Sequence, residues 1–176
     1  MIEFVDKAKQ GSEKAFMILV EDMKAQMYKT AYVRLRNEQD ALDAVQEAFI
    51  KAFSSIKSLR ENRFFKTWLI RILLNECHNI QQYKRKVIPM ENNLVEQKYT
   101  SEQDSIETMD IHSVLNQLDD IYKEVIDLRY NHDLKFEDIA RVLDIPLGTV
   151  KSRLNRAHSL LRNQLRDEYC EKEVLS

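Results

Sequence analysis

Glycine and proline are nearly missing from this chain, which has two of each in 176 residues. Hairpins and tight strand connections depend on such residues, so the shortage leaves little turn material for a sandwich or barrel and predicts an all-α protein. Cysteine is as scarce. Cys77 and Cys170 lie far apart and the four histidines are scattered, which excludes a disulfide framework and any metal-ligand spacing. No metal or cofactor is expected, and a reducing, cytoplasmic setting fits. Long apolar runs are lacking too: WLIRILL is broken by Arg71, and the amino end has Glu3 and Asp6 in place of a basic n-region. Neither a membrane span nor a secretion signal is expected. Excess positive charge is also absent. With a net charge of -2 the long-range field does not favour nucleic acid, so any such contact must come from local patches.

What the chain does have is 44% hydrophobic residues, enough for one medium or two small cores. Ile2 to Gln10 reads as a short helix closed by Gly11, and Ser12 is placed to cap the next. Phe16, Leu19, Val20, Met23, Met27, Ala31 and Leu35 then mark a long apolar stripe. Between Asp40 and Ile56, the residues Leu42, Val45, Phe49, Ala52, Phe53 and Ile56 predict a buried face. Asp43, Gln46, Glu47 and Ile50 line up beside it as an outward one. In the next helix Phe65, Trp68, Leu69, Ile72 and Ile80 predict a core face, while Arg71, Asn75, Asn79 and Gln82 form a polar stripe able to hydrogen-bond base edges. Aromatics beside the polar segment Ser58 to Arg63 suit unstacked bases, which need a ring to stack on and donors to read them.

After the basic cluster Tyr83-Lys84-Arg85-Lys86 the composition changes. From residue 87 to 110, Glu91, Glu96, Glu102, Asp104, Glu107 and Asp110 stand against Lys98 alone, and no apolar period survives. A flexible acidic linker is expected there. Helical periodicity restarts over Ile111 to Leu118 and Ile121 to Tyr130.

The segment from Phe136 to His158, FEDIARVLDIPLGTVKSRLNRAH, has the most specific residue order. Ile139, Ala140, Val142 and Leu143 repeat at helical spacing, as do Val150 and Leu154, on either side of Asp144-Ile145-Pro146. Helices joined by so short a turn cross steeply, which requires a small residue such as Ala140 at the crossing and lets Ile145 plug the wedge. Pro146 suits a helix start, where its missing donor would be unpaired anyway. Thr149, Lys151, Ser152, Arg153, Asn155 and Arg156 avoid the Val150/Leu154 stripe, and Gly148 to Arg166 contains no acidic residue. Charge alone would favour a solvated basic face. Break, small residue and one-sided basic surface together point to a major-groove recognition helix.

LDIPLGTVKSRLNRA resembles the fourth-region helix-turn-helix of bacterial sigma factors of the extracytoplasmic-function group. DALDAVQEAFIKAF resembles the second-region segment that docks on the clamp helices of the polymerase β′ subunit. FKTWLIRI with Asn75 is similar to the minus-ten reading helix, preceded by a base-capture loop at Leu59 to Phe64. Three positions depart from the family's pattern: Leu59, near which members often carry an aromatic; Asp119, where proline is usual; and Asp144, where glycine is common. Aspartate can cap a helix and tolerates left-handed backbone, so both turns are expected to survive.

The resemblance implies two small helical domains, 1–86 and 111–176, joined by the linker at 87–110. It also implies a non-enzymatic alternative sigma factor that directs core RNA polymerase to promoters. Asp43, Gln46, Glu47 and Ile50 would bind core. Asn62, Arg63, Phe64, Lys66, Arg71, Asn75 and Asn79 would read the minus-ten element, and the six recognition-helix residues the minus-thirty-five element. The implied partners are core polymerase through its β′ clamp helices and β flap, promoter DNA and an anti-sigma factor. One alternative is a free-standing helix-turn-helix regulator, which would bind promoters tightly by itself. Another is a small helical enzyme with Asp43, Glu47 and His78 as a cluster, but those carboxylates fall on an outward stripe and no Glu-x-x-His repeat is present.

Overall fold

A computed structural model describes residues 1–87 and 117–174. Among them every regular element is helical: α1 (Ile2–Lys9), α2 (Glu13–Leu35), α3 (Glu38–Ser55), two short 3₁₀ turns (Ile56–Ser58 and Asn62–Phe64), α4 (Phe65–Val87), α5 (Asp120–Ile126), a π turn (Asp127–Asn131), α6 (Phe136–Leu143) and α7 (Leu147–Val174). The expected acidic linker beyond Val87 and the helix start at Ile111 lie outside the described residues.

The local signals act as read. Gly11 ends α1 with φ 100°, a conformation costly for any residue with a Cβ. Ser12 Oγ then accepts the Ala15 amide at 3.3 Å, capping α2. Asn37 caps α3 in the same way, accepting the Asp40 amide at 2.9 Å. Asp119 occupies the N-cap of α5 with its carbonyl on the Tyr122 and Lys123 amides, but its side chain makes no capping bond.

In the amino-terminal bundle, α2, α3 and α4 pack mutually and α1 lies against α2. The inward stripe of α3 differs in part from expectation: Ala52 and Ile56 are buried as read, but the rest of the stripe is Ala41, Ala44 and Ala48, all fully buried. Leu42 and Phe53 are each 47% exposed, and Val45 and Phe49 are half-buried. The large side chains of the neighbouring helices explain the shift. Leu19, Met23 and Met27 from α2 and Leu69, Ile70 and Leu73 from α4 fill the space, so only methyl groups fit on α3. The core face of α4 is likewise Phe65, Leu69, Ile70, Leu73, Leu74 and Cys77, with Trp68, Ile72 and Ile80 at its half-buried margin. Cys77 is a core residue, and its burial pushes the thiol pKa up to about 12.

In the carboxyl-terminal bundle, Val125, Leu128, Leu134, Ile139, Val142, Val150 and Leu154 are buried. Tyr130, read as part of the apolar period, is 63% exposed because the π turn rotates it outward. The two bundles touch through α4 with α6 and α2 with α5.

Candidate nucleic-acid interface

The helix-turn-helix is built as its residues require. Asp144 ends α6 in the left-handed region at φ 55°, ψ 45°, with its amide on the Ala140 carbonyl. Ile145 also returns its amide to Ala140, at 3.1 Å, and packs half-buried against the core. Pro146 stands just before α7, where its carbonyl accepts the Thr149 and Val150 amides at 2.9 and 3.2 Å. Val150, Leu154 and Ala157 anchor α7 at 0–3% exposure. Lys151, Ser152, Asn155 and Arg156 are exposed, and Thr149 and Arg153 are half-buried at the edges of the same surface. The result is a convex helix bearing two cations, a hydroxyl and an amide, a set that can bond phosphates and base edges in a major groove. His158 continues the row, its Nε2 2.9 Å from the Tyr130 hydroxyl.

The expected minus-ten residues are less uniform. Arg71, Asn75 and Asn79 are exposed at spacings of four along α4, a continuous polar row. Asn79 lies 3.5 Å from the Glu76 carboxylate, which is itself bound to Lys51 at 2.6 Å. The loop before α4 is tied down: Asn62 Oδ1 accepts Lys9 Nζ at 3.1 Å, and Lys9 also donates to the Leu59 carbonyl at 2.8 Å. Leu59 is 6% exposed and serves as the loop's apolar anchor. Arg63 pairs with Glu61 at 2.7 Å, and its guanidinium also lies 4.7 Å from the Phe64 ring centroid. Arg141 of α6 lies against the same ring at 4.8 Å. Lys66 is half-buried and donates to the His132 carbonyl at 2.7 Å; burial lowers its pKa. Arg71, Asn75 and Asn79 thus stand open, while Phe64 and Lys66 are engaged by the carboxyl-terminal bundle.

On α3 the expected partner residues Asp43, Gln46, Glu47 and Ile50 are all exposed. At about 100° per residue, Leu42, Phe53, Gln46, Ile50, Asp43 and Glu47 follow one another around roughly 140° of the helix. The surface is therefore apolar at one edge and acidic at the other. The apolar edge escaped sequence reasoning, because large residues at helical spacing normally mark the buried side. His78 is exposed, and among the described residues no group of histidine, cysteine and carboxylate side chains is placed to hold a metal ion.

These features define a two-bundle helix-turn-helix protein with one exposed basic helix face and a separate exposed face that is apolar at one edge and acidic at the other. Residues 19–86 match the family described as Sigma-70 region 2, and residues 108–161 match Sigma-70, region 4. The RNA polymerase sigma factor SigV of Bacillus subtilis is 34% identical over 162 residues, covering 92% of this chain and 98% of that one. The ECF RNA polymerase sigma factor SigW of the same organism is 33% identical over 93% of this chain and 95% of its own. The ECF RNA polymerase sigma-E factor of Haemophilus influenzae is 35% identical over 92% of this chain and 93% of its own. Among solved structures, CnrH in complex with the cytosolic domain of CnrY superposes with a TM-score of 0.70 at 25% identity, covering 94% of this chain and 97% of that one. The chain belongs to the extracytoplasmic-function group of RNA polymerase sigma factors.

Proposed function

We propose that this protein works in the cytoplasm as an alternative sigma factor. It contributes promoter recognition to a polymerase that supplies all the catalysis. Residues 1–86 and 111–176 act as its two functional units, with 87–110 between them. The observation that carries the reading is α7: a helix anchored by Val150, Leu154 and Ala157 that turns Lys151, Ser152, Asn155 and Arg156 to solvent. These residues, with Thr149 and Arg153, would read the minus-thirty-five element. Arg71, Asn75 and Asn79, with Asn62, Arg63, Phe64 and Lys66 once freed, would read the minus-ten element. The Leu42 to Glu47 arc of α3 would dock on the β′ clamp helices, its apolar edge supplying contact area and its carboxylates supplying selectivity. The carboxyl-terminal bundle would meet the β flap. Among the described residues no helix is long and apolar enough to cross a membrane. The solved relative CnrH is bound to the cytosolic domain of CnrY, and a factor of Bartonella quintana, 24% identical, is bound to the anti-sigma factor NepR. An anti-sigma factor that captures this chain is accordingly part of the proposal.

The test is transcription from a random-sequence template pool. Core polymerase with this protein should enrich templates sharing two spaced elements. The same enrichment by the protein alone in a binding selection, with no gain from core, would instead favour the free-standing regulator.

A further inference from the structure

Lys9 stands in the last turn of α1, just before Gln10 and Gly11 end that helix, and its side chain crosses to the loop ahead of α4. The ammonium donates to the Leu59 carbonyl at 2.8 Å and to Asn62 Oδ1 at 3.1 Å. Leu59 closes the first 3₁₀ turn and Asn62 opens the second. Each turn is bonded within itself, Leu59 giving its amide to the Ile56 carbonyl at 3.2 Å and Phe64 its amide to the Glu61 carbonyl at 3.0 Å. Those bonds do not join one turn to the other. Lys9 does, and from a helix seated on the bundle by Val5 and Ala8, which are 0% and 5% exposed. All of these residues lie in the amino-terminal bundle, so the tie is independent of the carboxyl-terminal one.

The bond to Asn62 also decides which way its amide is turned. An ammonium has donors only, so the amide atom facing it is the oxygen; the flipped amide would set donor against donor. Nδ2 is left without a partner among the described residues, on a half-buried side chain next to Arg63 and Phe64. An unconstrained asparagine can pair with adenine through oxygen and nitrogen together, accepting from N6 and donating to N7. With Oδ1 turned to Lys9, Asn62 offers the donor alone. A lone donor suits a carbonyl acceptor such as guanine O6 or thymine O4, and adenine is the one base without a carbonyl oxygen.

We propose that Lys9 is a positioning residue for promoter reading: it locks the 59–64 loop as one piece and presents Asn62 as a donor, so that the captured base is one carrying a carbonyl oxygen and adenine is disfavoured. The inference rests on the functional reading above, in which this loop takes a base of the minus-ten element. Lys9 acts through Asn62 and not by its own contact with DNA. A loop fixed beforehand loses less conformational freedom when the base arrives, and a fixed amide cannot turn to suit a second base.

The test uses the full chain with core polymerase, transcribing barcoded promoter pools randomised over the minus-ten element or, separately, over the minus-thirty-five element. With wild type, transcript barcodes should show one minus-ten position at which adenine is depleted. Lys9→Met keeps the stem and removes the donor, so that depletion should fall about fivefold while the minus-thirty-five profile stays as it was. Lys9→Arg, whose guanidinium also only donates, should restore the wild-type profile. Asn62→Asp keeps an oxygen for Lys9 but has no donor, and it should lose the preference for carbonyl-bearing bases at the same position. A purely structural tie predicts something else: a lower thermal midpoint and weaker transcription from all templates, with both profiles unaltered. That outcome for Lys9→Met, or for Asn62→Asp should Lys9→Met fail to fold, would overturn the proposal, as would a wild-type profile that admits adenine at every minus-ten position. If Asn62→Asp and Phe64→Ala shift the minus-ten profile and Lys9→Met does not, only the positioning role falls. If none of the three shifts it, the assignment of this loop to the minus-ten element falls as well.

Discussion

Ile50 and Leu42 offer the cleanest measure of the proposed polymerase-docking face. Ile50 is 54% exposed and Leu42 47%, so each has roughly half a large aliphatic side chain left in water by its own fold. Fully burying such a side chain stabilises by about 1.5–3 kcal/mol, and burying the remaining half on a partner should therefore contribute about 1 kcal/mol each. Truncation to alanine forfeits most of that. Either Ile50→Ala or Leu42→Ala should weaken core binding about fivefold, and the pair about thirtyfold if the effects add. Alanine is a better helix former than either residue, so α3 should persist in both variants. Phe53 is a poorer probe, because its ring meets Phe16 edge-on at 5.1 Å and its removal would damage the bundle as well. Fluorescence anisotropy of a labelled chain titrated with core polymerase gives the affinities, and circular dichroism melting checks the fold. A doubly truncated chain that melts like wild type and binds core with an unchanged Kd would refute the assignment of this face.

Reversing charge with Asp43→Lys and Glu47→Lys should leave helicity intact and abolish capture of core in a pull-down; capture at wild-type strength would exclude the acidic edge. On α7, Arg156→Ala should cost roughly 1–3 kcal/mol and relax preference at one base position, a result that promoter-variant competition reads directly. Lys151→Ala should instead weaken all sequences alike and reduce the slope of log affinity against log salt by about 0.9, which a titration at several salt concentrations checks. Burial holds His132 below its ordinary range, aided by the Lys66 ammonium from α4 and opposed by Asp127, while Thr30 of α2 faces it uncharged. A group that holds its proton more weakly in the folded chain than in the unfolded one contributes stability fully above its ordinary value, near 6.5, and less as pH falls below it. The thermal midpoint should therefore fall as pH drops below about 6.5, and fall less in His132→Gln; identical pH dependence in the two chains would argue against a neutral, buried His132. Cys77, with its thiol held near 12, should resist iodoacetamide at pH 8 until the chain unfolds, and rapid native alkylation would contradict its placement in the core.

Much of this was legible because the signals were local. The Gly11-Ser12 boundary and the α6–α7 turn each depend on a few adjacent residues, and each has its expected form here. The outward residues of α7 were likewise readable from their spacing against Val150 and Leu154. The side facing inward on α3 was not, because size misled. Periodicity weights Leu42 and Phe53 above Ala44 and Ala48, whereas the volume left between α2 and α4 is set by residues distant in sequence. The contact between the bundles was illegible for a related reason. Gln26, Thr30 and Arg34 look like ordinary solvent-facing residues of an amphipathic helix until the fold brings the Asn131 carbonyl, the Asp127 carboxylate and the Glu124 carboxylate against them in turn. Only the fold shows that Lys66 and Phe64 are already taken.

The alanine row of α3 inverts the usual relation between residue size and mutational tolerance. Ala41, Ala44, Ala48 and Ala52 have no surface to spare, so an added methylene at any of them must push α3 away from α2 or α4, at about 1–3 kcal/mol each. The bulkier Leu42 and Ile50 on the same helix contribute little to holding the bundle together. In a saturation scan selected only for soluble folded protein, the smallest side chains of α3 would thus be its most restricted positions. Selection for transcription would restore constraint to the large ones, and the difference between the two maps would outline the surface this helix keeps for its partner.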